Sequence, residues 1–284
     1  MSAVYKRELG AYFHSMIGYV CIAFLVACVG IYFMAANLFN GYPSFSYALN
    51  SSLFIFMLTT PLLTMRSMTE DRRNKTDQLL LTSPLSVGKM VLGKYAAMLT
   101  VLAIPCALFC FCPLIIKLNG TATLASDYAS ILVFFLLGSV CIAVGLLISS
   151  LTESQIIAAL GTFGALLLGL LWDGLVSYIP DSAAFSFMGL VVLTLLLALL
   201  LNGLTGNWVL SGGVAIVGVA AELVVFLVKR TAYEKLLGAF SLTTPFDNFA
   251  TNQVFDLAGL ILYLSLDALF LFITVQLVQR RRYC

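Results

Sequence analysis

Charge is scarce in this sequence: only 10% of its 284 residues are Asp, Glu, Lys or Arg, against 61% hydrophobic. A chain that cannot build a charged shell cannot hold a core in water, which excludes an ordinary soluble domain. Histidine occurs once, as His14, just before the first apolar run, so no histidine cluster is available for a metal site or a catalytic base. The seven cysteines, Cys21, Cys28, Cys106, Cys110, Cys112, Cys141 and Cys284, show no C-x-x-C spacing and sit mostly inside apolar stretches. They read as small core hydrophobes, with no metal expected. A net charge of +2 gives no basic field for nucleic acid. No serine, cysteine and histidine arrangement suits a nucleophile, and the acids are scattered, so the chain is not expected to be an enzyme.

What the chain does have is long apolar runs, with a mean hydropathy of +1.04. Inside lipid a backbone is satisfied by closing its own helical hydrogen bonds, and about 20 apolar residues cross the hydrocarbon. The expected fold is therefore all-α, a polytopic integral membrane helical bundle. Eight runs qualify by hydropathy: 16–36, 48–65, 89–116, 128–151, 155–172, 185–201, 208–228 and 257–278. The first is too long for a signal-peptide core and is read as retained. The sixth and seventh are joined by the uncharged Asn202–Asn207, which leaves six spans plus a re-entrant hairpin as the alternative.

Lysine and arginine resist translocation, so their distribution sets orientation. With both termini cytosolic, the inside set is Lys6, Arg7, Arg66, Arg72, Arg73, Lys75, Lys89, Lys94, Arg280, Arg281 and Arg282, and the outside set Lys117, Lys229, Arg230 and Lys235, eleven against four. Basic clusters near both termini on one side demand an even number of crossings.

The conspicuous polar stretch is 66–90, stranded between apolar runs. Glu70, Asp71 and Asp77 mix there with Arg72, Arg73 and Lys75. Thr76 or Asp77 would cap a short helix bearing Leu79, Leu80 and Leu81 before Pro84 interrupts it. Each leucine buried in a partner's groove would contribute about 1.5–3 kcal/mol before ordering costs. The segment thus reads as a docking element for a cytosolic partner. Its competing use is an amphipathic linker on the bilayer surface, which mixed charge fits less well than a purely basic face would.

The pattern Glu70-x-x-Arg73-x-x-Thr76-x-x-Leu79-Leu80-x-Thr82-Ser83-Pro84, followed by Lys89 and Gly93-Lys94, resembles the cytosolic loop of type 2 ABC export permeases, including the gliding-motility type. Pro245–Phe249, then Tyr263–Gln276 running to Arg280–Arg282, resembles their closing helix. The resemblance implies a single transmembrane permease domain over 1–284, one half of an ATP-driven exporter in the cell membrane, the bacterial cytoplasmic membrane. It further implies that Glu70, Arg73, Thr76, Leu79, Leu80, Leu81 and Pro84 form a coupling helix seated in a separate ATPase subunit, and that 229–256 is an extracytoplasmic amphipathic element. ATP and magnesium would belong to that ATPase, with no cofactor in this chain. A second permease protomer, identical or homologous, the lipid bilayer and an auxiliary extracytoplasmic subunit complete the implied partners. The simplest members have six spans, so the hairpin 185–228 is additional here.

Gly88-x-x-x-x-Gly93-Lys94 imitates a phosphate loop, but Tyr95 stands where Ser or Thr must hold magnesium and no strand precedes it. ATP hydrolysis is therefore assigned to another polypeptide. Glu222 and Asp267 lie inside expected spans, where an ionised acid costs about 2.5–3.5 kcal/mol on insertion scales. Both are read as structural or gating contacts, and they keep a proton-coupled secondary transporter open as an alternative. A non-transport membrane scaffold is the third. Gly161, Ala165 and Gly169 make a flat stripe at i, i+4 and i+8, suited to close helix packing within the chain or against the second protomer.

Overall fold

Helix is the only regular structure among the described residues, as expected of a chain whose backbone must close its own hydrogen bonds in lipid. The computed structural model describes residues 2–75, 86–120, 123–178, 191, 194, 218–219, 241–252 and 254–283. The expected spans 185–201 and 208–228, with Glu222 in the second, lie outside them, apart from helical residues 191, 194 and 218–219. So do Thr76, Leu79, Leu80, Leu81 and Pro84. The chain divides into a unit formed by Met1–Leu168 with Pro245–Cys284 and a second unit, Gly169–Thr244.

In the first unit, α1 (Ser2–His14) leads through Ser15 into α2 (Met16–Phe33), which continues as a π-helical turn to Phe39. Short α3 (Ser46–Ser51) precedes α4 (Leu53–Arg73). Then come α5 (Val87–Phe109), α6 (Phe111–Asn119) and α7 (Leu124–Leu151). Helix α8 (Gln155–Tyr178) runs into the second unit, and α9 (Thr244–Ala250) and α10 (Leu257–Tyr283) close the chain.

Among the described residues, five helical stretches are long and apolar enough to cross a membrane: Met16–Phe39, Val87–Leu118, Leu124–Leu151, Gln155–Gly174 and Leu257–Arg280. They coincide with five of the expected runs. The expected run 48–65 does not join them, because its helix breaks at Ser52 and then continues through the polar residues 66–73. Within the expected polar stretch, α4 runs on through 66–73 and α5 begins at Val87.

Helix α7 is the hub of this unit. Gly138 and Gly145 lie two turns apart on it, and neither has room for a side chain. A Cβ on Gly138 would meet Leu102 and Phe56, and one on Gly145 would collide with the side chain of Thr64. These glycines bring α4 and α5 close enough for backbone-level packing, the small-residue route to helix association in lipid. Around them, Phe134 meets Phe56, Phe109 and Phe246 at ring-centroid distances of 4.8, 6.4 and 6.1 Å. Hydroxyls buried in α4 are satisfied within the helix, Thr60 donating to the Phe56 carbonyl at 3.0 Å and Thr64 to that of Thr60 at 3.1 Å. In the described part of 229–256, Phe246 and Phe249 of α9 are buried, and Ser46 of α3 donates to the Ala250 carbonyl at 2.6 Å.

In the second unit, Asp173 of α8 accepts hydrogen bonds from Ser241, at 2.6 Å, and from Thr243. Gly169 faces Leu242 there.

Gly145→Val forces a branched side chain into the space of Thr64 and is expected to cost about 1–3 kcal/mol by overpacking. Gly164→Ala, where a Cβ meets open space, should be neutral. Thermal unfolding in detergent separates the two; equal midpoints would sink the close-packing account of Gly145.

Candidate functional site

The polar stretch between α4 and α5 is held at both stems by buried charge. Lys94 lies about two turns into α5 and is only 1% exposed. All three of its ammonium hydrogens have acceptors: Asp71 of α4 at 2.6 Å, Glu8 of α1 at 3.1 Å and the Ser67 carbonyl at 2.5 Å. Arg7 adds a fourth charge, 2.5 Å from Glu8 and 3.5 Å from Asp71. Burial works against the charge on Arg7, but hydrogen bonding and attraction from Glu8, with Asp71 behind it, raise its pKa above the usual value. Two acids and two bases thus form a locally neutral cluster joining three helices.

The N-terminal helix owes its position to this cluster and to two tyrosines. Tyr12 donates to the Leu63 carbonyl at 3.0 Å and Tyr5 shares a hydrogen bond with Thr100 at 3.0 Å. Burial pushes the Tyr12 pKa up, so its hydroxyl stays a donor. His14 is spent locally, its Nδ1 2.7 Å from the Gly10 carbonyl.

A second tether holds the end of α4. Arg72 donates to the Ser150 carbonyl at 3.3 Å and pairs with Glu153 at 3.0 Å, fastening the helix to the turn between α7 and α8. Just beyond, Asn74 N donates to the Glu70 carbonyl and Lys75 N to that of Arg72, both at 3.0 Å. Lys75 has φ 55°, the left-handed conformation that ends helices.

Of the expected docking residues, the structure describes two. Glu70 is paired with Arg66 through both guanidinium nitrogens, and that hydrogen bonding holds its carboxyl below the ordinary range. Arg73 is exposed at the tip of α4, next to the stretch that begins at Thr76. Glu70 and Arg73 are thus one turn apart but differently engaged. The imitation phosphate loop is helical throughout, and its lysine, Lys94, is committed to two carboxylates. Asp267, in α10, lies against Ser139 of α7. In the small-residue stripe, Gly161 faces Ile148 of α7, so that end packs within the chain.

Reading the residues in order missed Glu8, Asp71 and Ser67 as partners of Lys94. One signal was present: a single lysine interrupts the apolar run from Met90 to Leu102, and a buried lysine requires an acid. Which acid answers it depends on how α1 and α4 pack, a matter of tertiary structure.

Among the described residues, the bundle that carries the Lys94 cluster includes several helices long and apolar enough to cross a membrane. The chain belongs to the ABC-2 family of transporter proteins, whose profile matches residues 29–277. No curated protein matches the chain. It is a membrane protein of that transporter family.

Lys94→Met leaves Glu8 and Asp71 without their buried counter-charge and is expected to destabilise the fold by about 3–5 kcal/mol. Glu70→Gln, which removes a partly exposed pair, should cost below about 1 kcal/mol. Thermal unfolding of both variants in detergent tests the contrast, and a Lys94→Met midpoint equal to that of Glu70→Gln would show that the cluster contributes nothing.

Proposed function

We propose that this chain is the permease subunit of an ATP-driven ABC exporter, coupled to a separate ATPase through the segment 76–85 between α4 and α5. The family match supports the transporter class, and the observation that carries the coupling reading is the pair of tethers at the stems of that segment. Asp71 and Lys94 bind α4 to α5 on either side of it, and Arg72 binds α4 to the turn after α7. A force applied between the stems would reach α1, α4, α5 and α7 together, because packed helices tied by buried charge shift as units. A surface linker would need no such stems.

On this reading Leu79, Leu80 and Leu81 enter a groove of the ATPase, and Glu70, Arg73, Thr76 and Pro84 shape the collar around them. ATP and magnesium stay in the partner. A second permease, identical or homologous, completes the transport path; of the small-residue stripe, Gly161 is taken by Ile148 and Gly169 by Leu242, which leaves Ala165 to face it. Both termini are cytosolic, the extracytoplasmic side carries 241–252, and an auxiliary subunit would bind on that side. Glu222 keeps its structural or gating role.

Replacing Leu79, Leu80 and Leu81 together by Ser should leave membrane insertion intact and release the ATPase during purification. An assembled complex with unchanged ATPase stimulation would show that this segment does not couple. Orientation has its own check in a cysteine-free background. Asn248→Cys should react with an impermeant thiol reagent in intact cells, and Asn74→Cys only after permeabilisation; the reverse pattern would invert the topology.

A further inference from the structure

About 15 Å along α10 from its start, near the middle of that span, sits a carboxyl group that takes no part in either tether. Asp267 is 8% exposed. Its Oδ2 is in hydrogen-bond contact with Ser139 Oγ of α7, and Tyr95 of α5 lies against the same group. Cys141, also on α7, is the other titratable side chain that interacts with it. The groove that runs past Asp267 between α5, α7 and α10 is otherwise apolar, with Leu92, Leu136, Leu264 and Phe272 among its walls, and neither Lys nor Arg lines it.

The hydrogens at this contact can be counted. A serine hydroxyl carries one. Ser139 donates it to the Leu136 carbonyl, 2.6 Å away, an oxygen with no hydrogen of its own. The contact between Ser139 Oγ and Asp267 Oδ2 therefore needs a second hydrogen, and an ionised carboxylate has none. A neutral carboxyl has one: its O–H donates to Ser139 Oγ, which accepts on a lone pair while donating to Leu136. Burial points the same way. An ionised acid at this depth costs about 2.5–3.5 kcal/mol on insertion scales, and no cation lines the groove to offset it.

We propose that Asp267 holds a proton in this arrangement, as a neutral acid whose O–H joins α10 to α7, and that loss of the proton undoes the joint. Once ionised, Asp267 competes with the Leu136 carbonyl for the single Ser139 hydrogen, and its charge stands against apolar walls. The groove, about 580 Å³, is then the route by which water reaches the charge. One proton thus sets the polar bond between α7 and α10 at mid-membrane. This does not rest on the exporter reading, and its test needs no ATPase.

The test is infrared spectroscopy of the full chain in phosphatidylcholine nanodiscs at neutral pH. The wild type should show the carbonyl stretch of a protonated carboxyl, moved by aspartate that carries the heavy carbon isotope in its side-chain carboxyl and missing from Asp267→Asn. Ser139→Ala should keep this band and shift it, because the acid loses the acceptor of its O–H. Raising the pH should replace the band by those of a carboxylate. Thermal unfolding gives a second readout. From the ordinary Asp pKa of about 3.9 up to the pH at which the band is lost, the folded chain holds one proton more than the unfolded chain. The wild-type midpoint should therefore fall with rising pH relative to Asp267→Asn across that window, and run parallel to it above. Coincident spectra of wild type and Asp267→Asn in the carboxyl region at neutral pH overturn the proposal, and so does a band that Ser139→Ala leaves unmoved. Should Asp267→Asn fail to fold, the isotope-labelled wild type and Ser139→Ala decide on the same band.

Discussion

A lysine ammonium buried at 1% exposure constrains everything at the polar end of this bundle. Lys94 cannot stay charged there alone, so Asp71 and Glu8 must meet it, and each brings a helix. Asp71 fixes where α4 ends relative to α5. Glu8 fixes α1. Such a cluster is a weak source of net stability when compared with a well-packed apolar core, because desolvation consumes most of the attraction. Its effect is on arrangement: the alternatives leave a charge unpaired, and so they are penalised.

Away from that end, packing follows the rule for helices that share an apolar surrounding. Lipid offers leucine as good an environment as protein does, so hydrophobicity alone does not hold helices together. Gly138 and Gly145 let α7 meet α4 and α5 at short range, and the rings around Phe134 fill the space beyond. Hydroxyls that would be costly in lipid turn back onto their own helix, as Thr60 and Thr64 do. Asp267 is buried too, with Ser139 of α7 hydrogen-bonded to its Oδ2 and Tyr95 of α5 beside the same carboxyl group. Polar groups inside a membrane that are not fully satisfied tend to be where a protein meets something else.

By itself the sequence determined the class and much of the helix layout. Apolar runs near 20 residues fix helices because no other backbone arrangement is satisfied in lipid, and five of the expected runs recur as membrane-capable helices. The residues around Glu70, Arg73 and Pro84 also carried the family, which the match over 29–277 bears out. Only the tertiary structure decided that α4 runs on through Arg66–Arg73, that α9 buries Phe246 and Phe249, and which carboxylates answer Lys94. Helical periodicity specifies a face, but not the neighbour that the face will meet. Helices α2, α3 and α4 all lie between Glu8 and Lys94 in the chain, and their 3.1 Å contact exists only once α1 has packed against α5.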